Sequence, residues 1–223
     1  MTDSASNYKN HLHNCFINAQ LEISKLSEDI LNMEGMSGIR TRHFYNNLLS
    51  LNDARYLEIG TWKGSSVCSA MYGHSATVVC MDNWTQFDGP KDEFLTNFNK
   101  YKGDNKASFI EADCFTFDAK TLPKFNIYLY DGPHKEDEHY RALTQYIDAM
   151  DNTFIYICDD WNWPFVRSGT YHAITTLGLK IEYEFDYRTT TNDEHVQWHS
   201  NEQRQWHNGI YMAVLSKPTT KPI

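Results

Sequence analysis

Short apolar runs recur along the chain, separated by stretches in which apolar residues return at helical spacing. Arg55 to Ile59, Thr77 to Met81, Ser108 to Glu111, Ile127 to Tyr130 and Thr153 to Cys158 read as strands. Ser65 to Met71, Phe94 to Tyr101, Glu136 to Met150 and Val166 to Leu177 read as the helices between and after them. Strict alternation of this kind predicts a doubly wound α/β sheet. Two further strands, Lys180 to Tyr187 and Gly209 to Leu215, bring the expected total to seven. No helix long enough for a parallel crossover lies between them, so they are expected to pair antiparallel. Upstream, Leu21 to Met33 places Leu21, Ile23, Leu26, Ile30 and Leu31 mostly at helical spacing, the run Met33 to Gly38 breaks that helix, and Thr41 to Leu49 predicts a second one. Between the last two strands, Thr189 to Asn208 is polar and rich in His, Trp and Gln, and is expected to form a long hairpin excursion at the sheet edge. The pattern divides the chain into an N-terminal helical extension over 1–50, an α/β domain over 51–217 and a flexible tail over 218–223.

Composition narrows the class. The chain of 223 residues suits one sizeable core, and its 14 Tyr, 12 Phe and 6 Trp can build that core although only 41% of residues are hydrophobic. No apolar run approaches the roughly 20 residues of a membrane helix, and Met1 to Asn10 lacks a signal-peptide core, so a cytoplasmic location and no membrane partner are expected. Cysteines 15, 68, 80, 114 and 158 form no closely spaced pair and read as reduced core residues. With 29 acidic against 20 basic residues, the net charge of -9 offers no footprint for nucleic acid. A small molecule or a metal suits it better.

The chemistry gathers where the strands end. The run Tyr56-Leu57-Glu58-Ile59-Gly60-Thr61-Trp62-Lys63-Gly64-Ser65-Ser66 is a strand that breaks into a glycine-spaced loop. Gly60 permits a positive-φ turn, and Gly64 lets the next helix start close against the sheet. Open α/β sheets bind ligands at the carboxyl ends of their strands, and this chain places Glu58, Asp82, Asp113, Asp131 and Asp159-Asp160 there. An ionised carboxylate such as Asp82 can accept both vicinal hydroxyls of a ribose, or it can cap a turn. Asp131, Asp159 and Asp160 on adjacent strand tips repel one another unless a cation or a shared proton intervenes, and hard oxygen donors suit Mg²⁺. The alternative is that Asp159-Asp160 caps the following segment. His134 is placed to act as a base or as a positioning group. His139 is expected to face solvent. His195 and His199, at i,i+4, suggest either a zinc-binding helix face or a polar edge hairpin. Trp84 reads as an adenine stack or as core.

The order Glu-x-Gly-x-x-x-Gly, Asp, Ala-Asp, Asp-Gly-x-His, spread over about Gly35 to Leu215, resembles a class I S-adenosylmethionine (SAM)-dependent methyltransferase. Asp131-Gly132-Pro133-His134, with Tyr140 and Leu143 following, is similar to the methyltransferase-24 group and its macrocin-type and aminocoumarin sugar O-methyltransferase relatives. The resemblance implies a Rossmann-like fold with SAM bound by the 51–217 domain. It implies Glu58, Gly60, Gly64 and Ser65 at the methionine part, Asp82 at the ribose, Asp113 and Cys114 at the adenine, and Asp131 beside the cofactor. It further implies Asp131, Asp159 and Asp160 as ligands of Mg²⁺, with Asp131 and His134 catalytic in transfer of the methyl group to a small hydroxylated acceptor, a sugar or related compound. One departure is Lys135-Glu136-Asp137-Glu138, where the family often carries an aromatic residue. The acceptor is then expected to be shaped by Met36 to Phe44, Trp161 to Arg167 and the hairpin excursion. Exposed aromatics of the N-terminal and hairpin segments are candidates for pairing two chains. Three rival readings remain. An NAD-binding oxidoreductase lacks its Gly-x-Gly-x-x-Gly spacing here; the others are a non-catalytic SAM-fold ligand-binding protein and a metal-dependent hydrolase.

Overall fold

The computed structural model describes residues 4–218. Seven strands form one sheet: β1 (Arg55–Ile59), β2 (Thr77–Asp82), β3 (Lys106–Glu111), β4 (Phe125–Tyr130), β5 (Met150–Asp159), β6 (Lys180–Tyr187) and β7 (Ile210–Ser216), in the order β3-β2-β1-β4-β5-β7-β6. The first five are parallel, and β7 lies antiparallel between β5 and β6. The expected seven-stranded, doubly wound sheet is therefore present, with its antiparallel C-terminal strand. Alternation along each strand feeds two apolar layers. Tyr56, Val78, Ile127 and Ile155 face one layer, and Leu57, Val79, Tyr128 and Tyr156 face the other.

Helices cover both faces: α1 (Ser4–Gln20), α2 (Glu28–Leu31), α3 (Ile39–Leu48), α4 (Ser65–Met71), α5 (Lys91–Tyr101), α6 (Glu136–Tyr146), α7 (Pro164–Thr176) and α8 (Asn201–Trp206). Helices α1, α3, α4 and α5 contribute to the first layer, α6 and α7 to the second. Among the described residues no helix is long and apolar enough to cross a membrane.

The N-terminal expectation needs correction. The helix read over Leu21 to Met33 is a single turn, α2, while the longest helix of the region is α1, which the polar start of the chain concealed. The buried stripe of α1 consists of Ala5, Leu12, Cys15 and Ala19, too small and sparse to stand out as a periodic signal. Leu21 and Ile23 are instead exposed, at 64% and 55%. Residues 219–223, most of the expected tail, lie outside the described residues.

The chain runs from β1 outward through β2 to β3, then crosses to β4 on the other side of β1. The carboxyl ends of β1 and β4 thus flank the topological switch point, where doubly wound sheets open a ligand crevice. Gly60 follows β1 with φ +87°, and an added Cβ would lie 1.9 Å from the Asp131 carbonyl oxygen. Glycine is required here by both dihedral and space, and it lets the Asp131 amide donate to the Ile59 carbonyl at 2.8 Å.

Candidate active site

A cavity of about 410 Å³ opens at this switch point, within the range of about 300–1,000 Å³ usual for small-molecule pockets. It runs from the loop after β1, past the ends of β2 and β3, to the ends of β4 and β5. Of the residues expected at a cofactor, Gly60, Ser65, Asp82, Asp113, Cys114 and Asp131 line it. Glu58 and Gly64 are not among the lining residues and sit behind the loop.

Glu58 is fully buried, where Tyr56 Oη and Ser66 Oγ donate to its two oxygens at 2.5 and 2.6 Å. Ser66 itself lines the cavity, so Glu58 acts one layer back, fixing that serine. Burial pushes the Glu58 carboxyl up to about 7 against those two hydrogen bonds. The buried imidazole of His139 moves the other way, down to about 3, through burial and then the neighbouring His134. His139 does not face solvent as expected. It is fully enclosed because α6 and α7 cross closely at Gly169, where an added Cβ would lie 2.1 Å from the Glu136 carbonyl oxygen.

These two groups give opposite pH limbs. Folded Glu58 holds its proton more tightly than the unfolded chain, so its contribution to stability is lost as pH rises from about 4.5 to about 7. Folded His139 refuses a proton that the unfolded chain accepts, so stability falls as pH drops from 6.5 toward about 3. Glu58→Gln is expected to raise the melting temperature relative to wild type above pH 7 and not at pH 4.5. A pH-independent difference in thermal unfolding would contradict this assignment.

Asp82 ends β2 with its carboxylate turned to the β1 loop. Its Oδ2 accepts from the Thr61 and Trp62 amides, both at 2.8 Å, and its Oδ1 from the Trp84 amide at 2.8 Å. Three of about four lone-pair positions are filled, leaving one on Oδ1. Trp84 is mostly buried against Phe94, yet it also lines the cavity. Asp113 is exposed and accepts from the Phe115 amide at 2.8 Å, with Cys114 buried beside it.

The segment before α3 closes one side. Buried Arg42 donates through Nη1 to the carbonyls of Ile30, Leu31 and Met33 at 2.9, 3.2 and 2.7 Å, and through Nε to that of Ser37 at 3.2 Å. This lays Met36 and Ser37 onto the cavity, with Ser37 Oγ 3.0 Å from Ser65 Oγ.

The acids of β4 and β5 meet as their parallel pairing requires. Asp131 and Asp159 are hydrogen-bonded to each other, and both carboxyls are pushed well above the usual range, first by enclosure and then by repulsion among Asp131, Asp159 and Asp160. Asp131 is half-buried by exposed area because it faces the cavity, but protein surrounds it, and that surrounding sets its desolvation. Such repulsion is relieved by a proton held between the two carboxyls or by a cation among them. Asp160 adopts φ +57°, accepts from Asn208 Nδ2 at 2.8 Å, and lies with Oδ2 3.0 Å from His134 Nε2. Donor atoms of Asp131, His134 and Asp160 all lie within 4.8 Å of one another. The closest grouping thus includes His134, while Asp159 Oδ1 is engaged by the Asp160 amide at 2.9 Å.

The excursion after β6 does not trail along the sheet edge. It folds over the strand ends, where Trp206 packs between Phe16 and Phe44 and where His195, Trp198 and His207 line the cavity. Residues 195–199 are not helical, so the i,i+4 histidines share no helix face. The clamp is an asparagine pair that the sequence did not reveal. Asn208 Oδ1 accepts from Asn162 Nδ2 at 2.9 Å and from the Val196 amide at 3.1 Å. In sequence these asparagines look like ordinary turn residues.

No family model matches the sequence, and no curated protein matches it. Solved structures do resemble the fold. An O-methyltransferase from Bacillus cereus, determined with SAH, aligns at a TM-score of 0.56 and 11% identity, over 93% of this chain and 91% of the other. A proposed O-methyltransferase from Klebsiella pneumoniae aligns at 0.55 and 14%, over 92% and 90%. A proposed RNA methyltransferase from Pyrococcus horikoshii aligns at 0.54 and 15%, over 92% and 97%. At these identities the likeness is one of architecture: the chain has the Rossmann-like α/β fold found in these methyltransferases, with antiparallel strands at its C-terminal end.

Proposed function

We propose that the protein is a SAM-dependent methyltransferase acting on a hydroxyl oxygen of a small acceptor. The observation that carries this reading is one continuous cavity joining the Gly60 loop and Asp82 to the Asp131, His134 and Asp160 group. On the first side, Thr61 Oγ1 is buried on the cavity wall without a hydrogen-bond partner among the described residues, and Asp82 Oδ1 keeps a lone pair; these suit the polar groups of a nucleoside. Ser65, Asp113 and Cys114 complete that half. SAM supplies the methyl group as a substituent of its sulfonium.

On the second side, the Asp160 carboxylate accepts from His134, which holds the imidazole hydrogen on Nε2 and leaves Nδ1 as the basic nitrogen. Nδ1 is itself buried, with no hydrogen-bond partner among the described residues, so the ring must turn for this nitrogen to meet the acceptor hydroxyl. His134 then takes the hydroxyl proton as the acceptor oxygen bonds to the methyl carbon and the carbon–sulfur bond breaks. The convergent carboxylates also fit a divalent cation. Asp131 and Asp160 would hold it, with Asp159 or His134 completing the set, and it would lower the pKa of the acceptor hydroxyl. Carboxylate oxygens alone favour Mg²⁺, whereas inclusion of His134 favours a borderline ion such as Mn²⁺.

Calorimetric titration with SAM, run with Mg²⁺, with Mn²⁺ and with a chelator, tests the reading. Saturable binding is expected in every run. Asp82→Ala is expected to weaken it about tenfold or more, because a charge-assisted acceptor is lost and three loop amides are released. Absence of SAM binding by the wild-type protein under all three conditions would rule the reading out.

A further inference from the structure

The second half of the cavity has a wall and a charge that the methyl-transfer reading does not require. Trp198 is 68% exposed and stacks on His195, with ring centroids 5.1 Å apart at 22°. His195 lies 5.7 Å from Trp163, and Trp163 stands edge-on 5.5 Å from His134, the imidazole bonded to Asp160. Rings therefore continue from solvent to the acid group. His207 borders them, and burial lowers its pKa, so its imidazole is neutral near pH 7; its Nδ1 is buried with no hydrogen-bond partner among the described residues.

The charge of the lining is one-sided. Among the described residues that line the cavity are five aspartates, three of them (Asp131, Asp159 and Asp160) in this second half, and none of the described lining residues is Lys or Arg. Cations near the lining are engaged in ion pairs: Lys63 with Glu34 at 2.6 Å, Lys91 with Glu111 at 2.5 Å, Arg167 with Asp193 at 2.5 Å, and the exposed Lys135, next to His134 in the chain, with Glu138 at 3.5 Å. The raised Asp131 and Asp159 carboxyls carry less than their full charge, and a divalent ion or the net positive charge of SAM would offset part of the remainder.

We infer that the acceptor is an uncharged or cationic ring compound bearing a hydroxyl, and that acceptors carrying phosphate or carboxylate, RNA included, are excluded. The inference rests on the proposed methyl transfer only for what happens to the hydroxyl. Recognition follows from the wall itself. A flat ring, or the C–H face of a sugar ring, gains by lying along Trp163 and Trp198. An ammonium group is attracted both by those ring faces and by the carboxylates. A phosphate or carboxylate on the acceptor would enter a low-dielectric, acid-lined half with no Lys or Arg in the lining to pair it, whereas the carboxylate of SAM brings its own ammonium. RNA binding needs phosphate contacts from Lys or Arg, which this lining does not offer.

The test uses two series matched in ring and differing in charge: tyramine, tyrosol and 4-hydroxyphenylacetate; glucosamine, glucose and glucuronate. Each compound is titrated by ligand-observed NMR into the full chain, with and without saturating SAH. In each series the anion is expected to bind at least about tenfold more weakly than the neutral compound, and the cation at least as tightly, with the gap narrowing at high salt. Trp198→Ala is expected to weaken the neutral compound about fivefold while preserving the charge order. An anion that binds as well as its neutral partner overturns the inference, as does failure of every ring compound to bind at millimolar concentration. The SAH arm separates the two readings: if SAH does not bind, the methyltransferase proposal fails, while the charge order measured without SAH still decides this one.

Discussion

Gly60→Ala is expected to destabilise the protein by about 2–4 kcal/mol and to abolish SAH binding, the largest effect of any single methyl group in the site. The added Cβ would lie 1.9 Å from the Asp131 carbonyl oxygen and 2.4 Å from its carbon. Both are backbone atoms, so no rotamer change relieves the overlap. The residue also sits at φ +87°, which costs alanine about 1–2 kcal/mol in its own right. Relief requires β1 and β4 to separate at the switch point, which breaks the Asp131 to Ile59 hydrogen bond and moves Asp131 away from His134. Gly64→Ala is the control, since it shares φ +87° but its added Cβ meets side chains, the Phe94 ring edge at 3.1 Å and Cys68 Sγ at 3.5 Å, which are able to shift. It is expected to cost about 1–2 kcal/mol and to keep SAH binding. Urea denaturation with parallel SAH calorimetry separates the two variants, and equal stability losses would show that the strand-end approach at Gly60 is not tight.

Asp160→Asn is expected to lower turnover on an identified acceptor by about 10²–10⁴-fold while changing SAM affinity by less than about threefold. The position has φ +57°, a conformation that Asp and Asn tolerate better than other non-glycine residues, so the backbone is retained. An amide can still accept from Asn208 through its oxygen. Its nitrogen then faces His134 Nε2, two donors opposed at about the 3.0 Å of the native contact. The imidazole escapes by moving its hydrogen to Nδ1, which removes the lone pair that takes the acceptor proton. Any divalent cation held by Asp131 and Asp160 also loses an anionic ligand. Full turnover by the Asn variant would exclude both roles, and a parallel fall in SAM affinity would show that Asp160 serves the cofactor instead.

These expectations separate what is local from what is not. Helix α4 and strand β6 have the bounds read from the sequence, because apolar period and the glycines around α4 are local properties. The acids Asp82, Asp131, Asp159 and Asp160 were legible as strand-end residues for the same reason, since topology places every parallel strand end at one rim. The helix α1 was not legible, because its packing draws on Phe16 against Phe185, Tyr187 and Trp206, partners more than a hundred residues away. Neither was the fold of the excursion. A polar run with several histidines has no periodicity to read, and its path is set by Asn162, Asn208 and the burial of Trp206.

Sequence alone therefore determined the sheet, the glycine loop and the row of acids, since each follows from residue type and spacing along one short segment. Only the tertiary structure decided how those acids are used. It spends most of the Asp82 carboxylate on loop amides, sets Asp131 against Asp159 in an enclosed pair, and turns Asp160 toward His134. It likewise buries His139 and brings His195 and His207 to the cavity. The physical reason is that hydrogen bonding and desolvation depend on which groups from distant segments share a low-dielectric space, and spacing along the chain carries no record of that.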